Sequence, residues 1–165
     1  MSGKFENNNK CIIPTAKTSE AWRQKHLNNL KLVKIDHDVI LTGSSLIAGM
    51  SGGIPIGSSF NKFMLPISAL ETGDKVENVL YRIKTDEFSN QKSKILVILI
   101  GTNNTEHNKP YDIYEEIMVM KINCVCLIEE LLPNAHIIVP TVLPRGKKPN
   151  GQRDFLREIN TLLTN

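Results

Sequence analysis

An unbroken apolar run from Ile95 to Ile100, which ends at Gly101, constrains the fold of this chain more than any other feature. Consecutive apolar residues cannot alternate between a buried and a solvated face, so such a run indicates a strand that is buried on both faces. A shorter run, Val39 to Leu41, is followed by Gly43. Strands of this kind are typical of parallel sheets that are covered by helices. The two runs therefore predict an α/β domain.

Two further strands and four helical patterns complete the predicted architecture. His136 to Val139 ends at Pro140, and Phe63 to Ile67 contains Pro66, which suits an edge strand. Helical periodicity follows Ser19, with Trp22, Leu27, Leu30 and Val33, and recurs at Val76 to Ile83, Ile113 to Ile128 and Phe155 to Leu162. This alternation predicts a parallel sheet between helices, with a ligand site beyond the carboxyl ends of the strands. The Gly-rich stretch Ser51 to Ser59 is predicted to be a loop at that edge.

Length and composition are those of one globular domain. The 165 residues are 41% hydrophobic and 22% charged, and we expect a polar leader over residues 1–17 and a single domain over 18–165. A formal net charge of +3 is too small to indicate a nucleic-acid partner. No apolar run approaches the roughly 18 residues that a membrane span needs, and the polar start of the chain does not resemble a signal peptide.

Cysteine usage bears on the compartment and on metal binding. Cys11, Cys124 and Cys126 form an odd and sparse set, which is typical of reduced thiols and predicts a cytoplasmic protein. Cys124 and Cys126 lie two positions apart in a helical pattern, where side chains do not face each other, and no second pair of ligands accompanies them. We therefore expect neither a metal site nor a cofactor.

Two short polar motifs follow the two apolar strands. Gly43-Ser44-Ser45 would place the Ser45 hydroxyl at the start of a helix, as a nucleophile whose own N–H can stabilise an oxyanion. Asn103, which follows the central strand, could donate its amide N–H to the same oxyanion. Each motif also fits a plain turn, with Ser44 or Ser45 as a helix N-cap. Their pairing on two strands of one sheet favours acyl-transfer chemistry.

Longer stretches of the chain resemble a known superfamily. Val39 to Leu163 is similar to the SGNH, or GDSL, hydrolases, in the stretches VILTGSSLIAGM, TGDKVENVLYRI and KILVILIGTNN. The stretch HIIVPTVLPRGKKPNGQRDFLREIN, with Leu143-Pro144-Arg145-Gly146, resembles in particular the catalytic subunits of the intracellular platelet-activating-factor acetylhydrolases. The resemblance implies a flavodoxin-like three-layer α/β/α sandwich, which agrees with the predicted architecture.

The resemblance also implies roles for individual residues. Ser45 matches the nucleophile, and Asn103 matches the oxyanion asparagine. Ser44 stands where the family has an aspartate. The glycine that offers a backbone N–H to the oxyanion aligns with Leu70, which keeps the N–H but resists a positive φ. If the match is shifted there, the nearby Gly73 would take that role instead.

The family's Asp-x-x-His, which supplies the general base after a fifth strand and before a final helix, does not occur in these 165 residues. The expected sandwich therefore lacks that last strand and helix, and the strand at His136 is expected at an uncovered edge. Among the histidines, His37 and His136 precede their strands and His26 belongs to the first helix. His107 is a weak candidate base, because the family carries unused histidines in that loop.

Two functions follow from the resemblance. One is a catalytically impaired subunit that forms a homo- or heterodimer with a related subunit or binds a β-propeller regulatory protein. The other is an active serine esterase that removes short acyl groups from lipid esters. Its base would come from His107, from a partner or from residues outside the sequence.

Overall fold

The computed structural model describes residues 13–53, 64–68, 73–88, 91–104, 114, 118, 130–146 and 148–164. In chain order the elements are α1 (Glu20–Leu32), β1 (Val39–Gly43), α2 (Ser45–Gly53), β2 (Met64–Ser68), α3 (Val76–Lys84), β3 (Ile95–Leu99), β4 (His136–Ile138) and α4 (Gly151–Thr164). The helix predicted between Ile113 and Ile128 lies almost wholly outside the described residues. In the described part of the chain, no helix combines the length and the apolarity that crossing a bilayer requires.

The four described strands form one parallel sheet in the order β2-β1-β3-β4. The α/β class and the parallel sheet are as predicted. β2 lies at one edge, where Pro66 pairs with Leu41 of β1 and its missing N–H is tolerated. β4 lies at the other edge of the described sheet, also as expected, and Ile138 in it is 48% exposed.

The core lies on one face of β1 and β3. Ile40, Leu96 and Ile98 are completely buried there, and they pack in one cluster with side chains of α3 and α4. α3 contributes Val76, Val79, Leu80 and Ile83, whose spacing is that of one helix face, and α4 contributes Leu156 and Ile159. Burying one such side chain stabilises a fold by about 1.5–3 kcal/mol. This cluster therefore fixes α3 against the two strands that end at Gly43 and Leu99.

The structure corrects three details of the prediction. The face of β1 and β3 opposite the core cluster was predicted to be buried, but Leu41 and Val97 on that face are only half-buried. In α1, Leu27 is 48% exposed, and the inward positions are Trp22, His26 and Asn29, followed by the buried Val33 just after the helix. That face is polar because Glu87, which follows α3, offers its carboxylate to it. Finally, α2 continues through Gly53, where a loop was predicted from position 51.

Candidate active site

The end of β1 lies very close to the end of β3. Gly43 has a φ of +151°, and a Cβ atom on it would lie 2.0 Å from the carbonyl oxygen of Leu99 in β3. The Ser44 N–H donates to that same carbonyl at 3.1 Å. Only glycine allows this approach without strain. The turn that leads into Ser45 is therefore held directly against the end of the central strand.

Ser45 is the first residue of α2 and is half-buried. Its position exposes it to the positive end of the helix dipole, which favours negative charge on its oxygen. The preceding residue, Ser44, is 1% exposed, and its carbonyl accepts hydrogen bonds from the N–H groups of Ile47 and Ala48. Among the described residues, its Oγ has no hydrogen-bond partner. Ser44 thus begins α2 through its backbone and does not act as a side-chain N-cap.

Asn103 follows β3 and is held by the segment that leads into α3. Its side-chain Nδ2 donates to the backbone carbonyl of Asp74 at 3.0 Å. An amide group has two N–H donors, and no described contact uses the second one. The next residue, Asn104, accepts from the Val76 N–H at 3.2 Å through its Oδ1 and so caps α3. The orientation of the Asn103 amide is therefore fixed, and its second N–H has no partner among residues 13–53, 64–68, 73–88, 91–104 and the other described positions.

The sheet order brings these residues to one edge. Gly43 pairs with Leu99, so the turn at Ser45 and the turn at Asn103 both leave the carboxyl ends of neighbouring strands. The chain leaves β1 toward β2 on one side and returns to β3 on the other, and ligand crevices of parallel sheets form at such reversals. Leu70 and His107 lie outside the described residues. Gly73, the alternative to Leu70, has a φ of +96°.

The described histidines do not serve Ser45. His26 is 8% exposed, its Nδ1 lies 3.0 Å from the Glu87 carboxylate, and its Nε2 lies 3.0 Å from the Thr85 hydroxyl. His37 comes before β1, and His136 is the first residue of β4, so both lie at the amino-terminal edge of the sheet. Five strand residues, or about 15 Å, separate that edge from the candidate site.

A buried ionic network lies beneath the site, and the sequence patterns did not reveal it. Its centre is Arg82, which is 0% exposed and bonds to Glu87 at 2.6 Å through Nη1. Its Nε makes an ion-pair contact with the Asp74 carboxylate at 3.2 Å, and its Nη2 donates to the Gly43 carbonyl at 3.0 Å. The one available signal was position, because Arg82 lies three residues after Val79 on the buried stripe of α3.

Opposing effects set the pKa of Glu87. Burial disfavours its charged form and alone would raise the pKa. The Arg82 guanidinium and hydrogen bonds from His26 and Asn29 together outweigh burial, so the pKa of Glu87 lies below its ordinary value. Glu87 is thus a charged, structural group.

Among the described residues, no group of three histidine, cysteine or carboxylate side chains could hold a metal ion.

Comparisons with known proteins first define the class. A scan against protein-family models finds no match. Among solved structures, a member of the lipolytic protein G-D-S-L family from Veillonella parvula superposes with a TM-score of 0.55 and 16% sequence identity. The superposition covers 79% of this chain and 71% of that one. The chain therefore has the α/β fold of a GDSL-type hydrolase.

Sequence relatives narrow this class to one family. The platelet-activating factor acetylhydrolase IB subunit alpha2 of Homo sapiens is 32% identical over 166 residues, which cover 95% of this chain and 68% of the relative. The IB subunit beta homolog of Drosophila melanogaster is 29% identical over 163 residues, which cover 94% of this chain and 68% of that relative. This chain belongs to the family of platelet-activating factor acetylhydrolase IB subunits, which confirms the resemblance seen in its motifs.

Proposed function

We propose that this polypeptide is an acetylhydrolase-like subunit that is catalytically impaired. The observation that carries the proposal is the placement of the described histidines. A serine hydroxyl needs an adjacent base to become a nucleophile, yet both ring nitrogens of His26 are engaged and His37 and His136 lie at the opposite edge of the sheet. Serine hydrolases that lose triad members keep only about 10³–10⁴-fold acceleration over water. Ser45 and Asn103 would then form the remnant of an esterase site.

Two substitutions support the same proposal. Ser44 stands where the family has an aspartate, so the nucleophile turn lacks that carboxylate. Leu70 stands where the family has an oxyanion glycine, and a leucine resists the positive φ that such a position can require. The first change removes a carboxylate from the nucleophile turn, and the second weakens the oxyanion site, which is the part of a serine hydrolase that would act without its base.

The role that remains for such a subunit is assembly. We propose that it forms a homodimer or a heterodimer with a related subunit in the cytoplasm, with a β-propeller regulatory protein as a further candidate partner. The names of its relatives describe subunits, which supports an assembling protein. The edge strand β4 adds support, because its Ile138 and the nearby Leu143 are 48% and 43% exposed. A concentration-independent monomer in sedimentation equilibrium would contradict this role.

An active serine esterase is the second candidate. The observation that favours it is the arrangement of the site, because Ser45 begins α2 and the oriented amide of Asn103 has one N–H donor that no described residue uses. Such an enzyme would remove short acyl groups from lipid esters. His107 or a partner would then supply the base.

A fluorophosphonate probe separates the two candidates. The wild-type polypeptide and Ser45→Ala are incubated with the probe, and turnover of a short-chain ester is measured in parallel. The impaired subunit is expected to label no more than Ser45→Ala and to show no turnover above it. Labelling or turnover that disappears in Ser45→Ala refutes impairment. A further loss in His107→Ala would then identify the base.

A further inference from the structure

One buried side chain connects the two turns of the candidate site. The Nη2 of Arg82 donates to the carbonyl of Gly43, the residue that precedes the Ser44–Ser45 turn, at 3.0 Å. Its Nη1 lies 3.4 Å from the Thr42 hydroxyl, so the guanidinium touches the last two residues of β1. Arg82 itself belongs to α3 and is 0% exposed.

The same guanidinium also contacts Asp74, the residue to which Asn103 donates its hydrogen bond. Its Nε faces the Asp74 carboxylate at 3.2 Å, while the Asp74 backbone carbonyl accepts the amide of Asn103 at 3.0 Å. Trp22 Nε1, which donates at 2.8 Å, and Lys17 Nζ, at 3.5 Å, complete the surroundings of that carboxylate. The contact between Arg82 Nε and Asp74 is electrostatic and is not a hydrogen bond. Asn103 is therefore held by Asp74, a residue to which Arg82 contributes its charge and Trp22 a hydrogen bond.

We infer that Arg82 is a positioning residue that fixes the Ser44–Ser45 turn and the Asn103 amide relative to each other. The inference rests on the proposed identity of Ser45 and Asn103 as nucleophile position and oxyanion donor. Arginine suits this task because its planar fork presents several donors in fixed directions, whereas lysine offers one compact charge. A buried ion pair is weak support for stability as such, so a role in geometry accounts better for the network.

Arg82→Lys tests the inference without relying on hydrolysis. Lysine keeps the charge but cannot reach Gly43, Asp74 and Glu87 together. Arg157→Lys is the matched control, because Arg157 is exposed on α4 and its Nη1 pairs with Asp154 at 3.1 Å. For each variant we measure the unfolding free energy, backbone amide exchange and the NMR resonances of the Asn103 side-chain amide.

A positioning role predicts a local effect in Arg82→Lys. Exchange of the Ser44 amide is expected to rise about tenfold more than that of the β3–β4 ladder, and the two Asn103 amide protons are expected to shift. Arg157→Lys should change neither. A uniform rise across all amides, or unchanged Asn103 resonances, overturns the inference and leaves Arg82 a structural role.

Asp74→Asn decides the matter if Arg82→Lys does not fold. This change removes the carboxylate that Arg82 holds but keeps the backbone carbonyl that Asn103 uses. The new amide oxygen can still accept from Trp22, so a shift of the Asn103 resonances with an unchanged Trp22 indole resonance results from the lost charge and supports the inference. Unchanged Asn103 resonances, or a shift that accompanies a shift of the Trp22 resonance, overturn it. Probe labelling of Ser45 reports separately on the proposed function, so failure of either proposal is recognised on its own.

Discussion

Replacing Gly43 with alanine perturbs the point where the end of β1 meets β3. The added Cβ would lie 2.0 Å from the Leu99 carbonyl oxygen and 2.8 Å from its carbonyl carbon. Both are backbone atoms at the end of the central strand β3, so no side chain can rotate away to make room. The residue would also have to keep a φ of +151°, or the turn into Ser45 would change.

Three costs combine in this variant. A sparsely populated backbone conformation costs about 1–3 kcal/mol. Overpacking at a site that cannot repack costs about 1–3 kcal/mol more. Separation of the strands would also weaken the Ser44 N–H bond to Leu99, which contributes about 1 kcal/mol. We expect Gly43→Ala to lose about 3–7 kcal/mol of unfolding free energy, a large share of the roughly 5–15 kcal/mol of an ordinary domain.

Gly49→Ala is the matched control for this change. Gly49 lies inside α2, and a Cβ there would meet nothing within 4 Å. Alanine is the better helix former, so this variant is expected to gain about 0.5–1 kcal/mol. Urea denaturation followed by circular dichroism gives both values under identical conditions. The two glycine-to-alanine changes should therefore move the midpoint in opposite directions.

The result that would refute the reasoning is a Gly43→Ala midpoint close to that of the wild type. A loss below about 1 kcal/mol would mean that the strand ends do not approach as described. The Ser45 turn would then not be held against β3, and the described geometry of the candidate site would be wrong.

Two further predictions concern groups away from this contact. Arg82 holds the pKa of Glu87 below its ordinary value of 4.5, so the stability that depends on the Glu87 charge is present above that pH and is lost as pH falls through the native pKa. Glu87→Gln should therefore flatten the acid side of the curve of unfolding free energy against pH. An unchanged curve would contradict this prediction. Asn160 accepts from the Val142 N–H at 2.7 Å and donates to the Val142 carbonyl at 2.8 Å. Asn160→Ala should therefore lower the unfolding free energy by about 1–3 kcal/mol in thermal unfolding, whereas Thr161→Ala, at an exposed position, should lower it little. Equal losses in the two variants would count against this prediction.

The sheet could be predicted because its strands are marked locally. The apolar runs that precede Gly43 and Gly101 lie in the two central strands, and Pro66 lies in an edge strand. The polar face of α1 could not be predicted in this way. His26 is inward because Glu87, 61 positions later, bonds to it, and hydrophobic periodicity cannot register a partner so distant in sequence.

The candidate site shows the same division. The strand-end rule predicts that Ser45 and Asn103 leave neighbouring strands at one edge, and the pairing of Gly43 with Leu99 agrees with it. The network around Arg82 could not be predicted, because a charge on a helix is usually solvated and only tertiary partners make its burial tolerable. The placement of strand ends at one edge of the sheet can thus be predicted from the sequence, whereas the ionic network around Arg82 cannot.

The all-parallel sheet has a consequence for how this chain folds. Its central pairing joins positions 39 and 95, which are 56 residues apart. The bonds that connect the ionic network to α1 join positions 52 to 61 residues apart, and the bond from Arg82 to Gly43 joins positions 39 residues apart. Loop closure must precede such contacts, so folding is expected to be slow and the charged groups to give up their water late. Arg82→Lys is then expected to speed unfolding while leaving the folding rate unchanged in stopped-flow measurements. The pairing of the apolar strands would then set the folding rate, and the buried charged groups would set the unfolding rate.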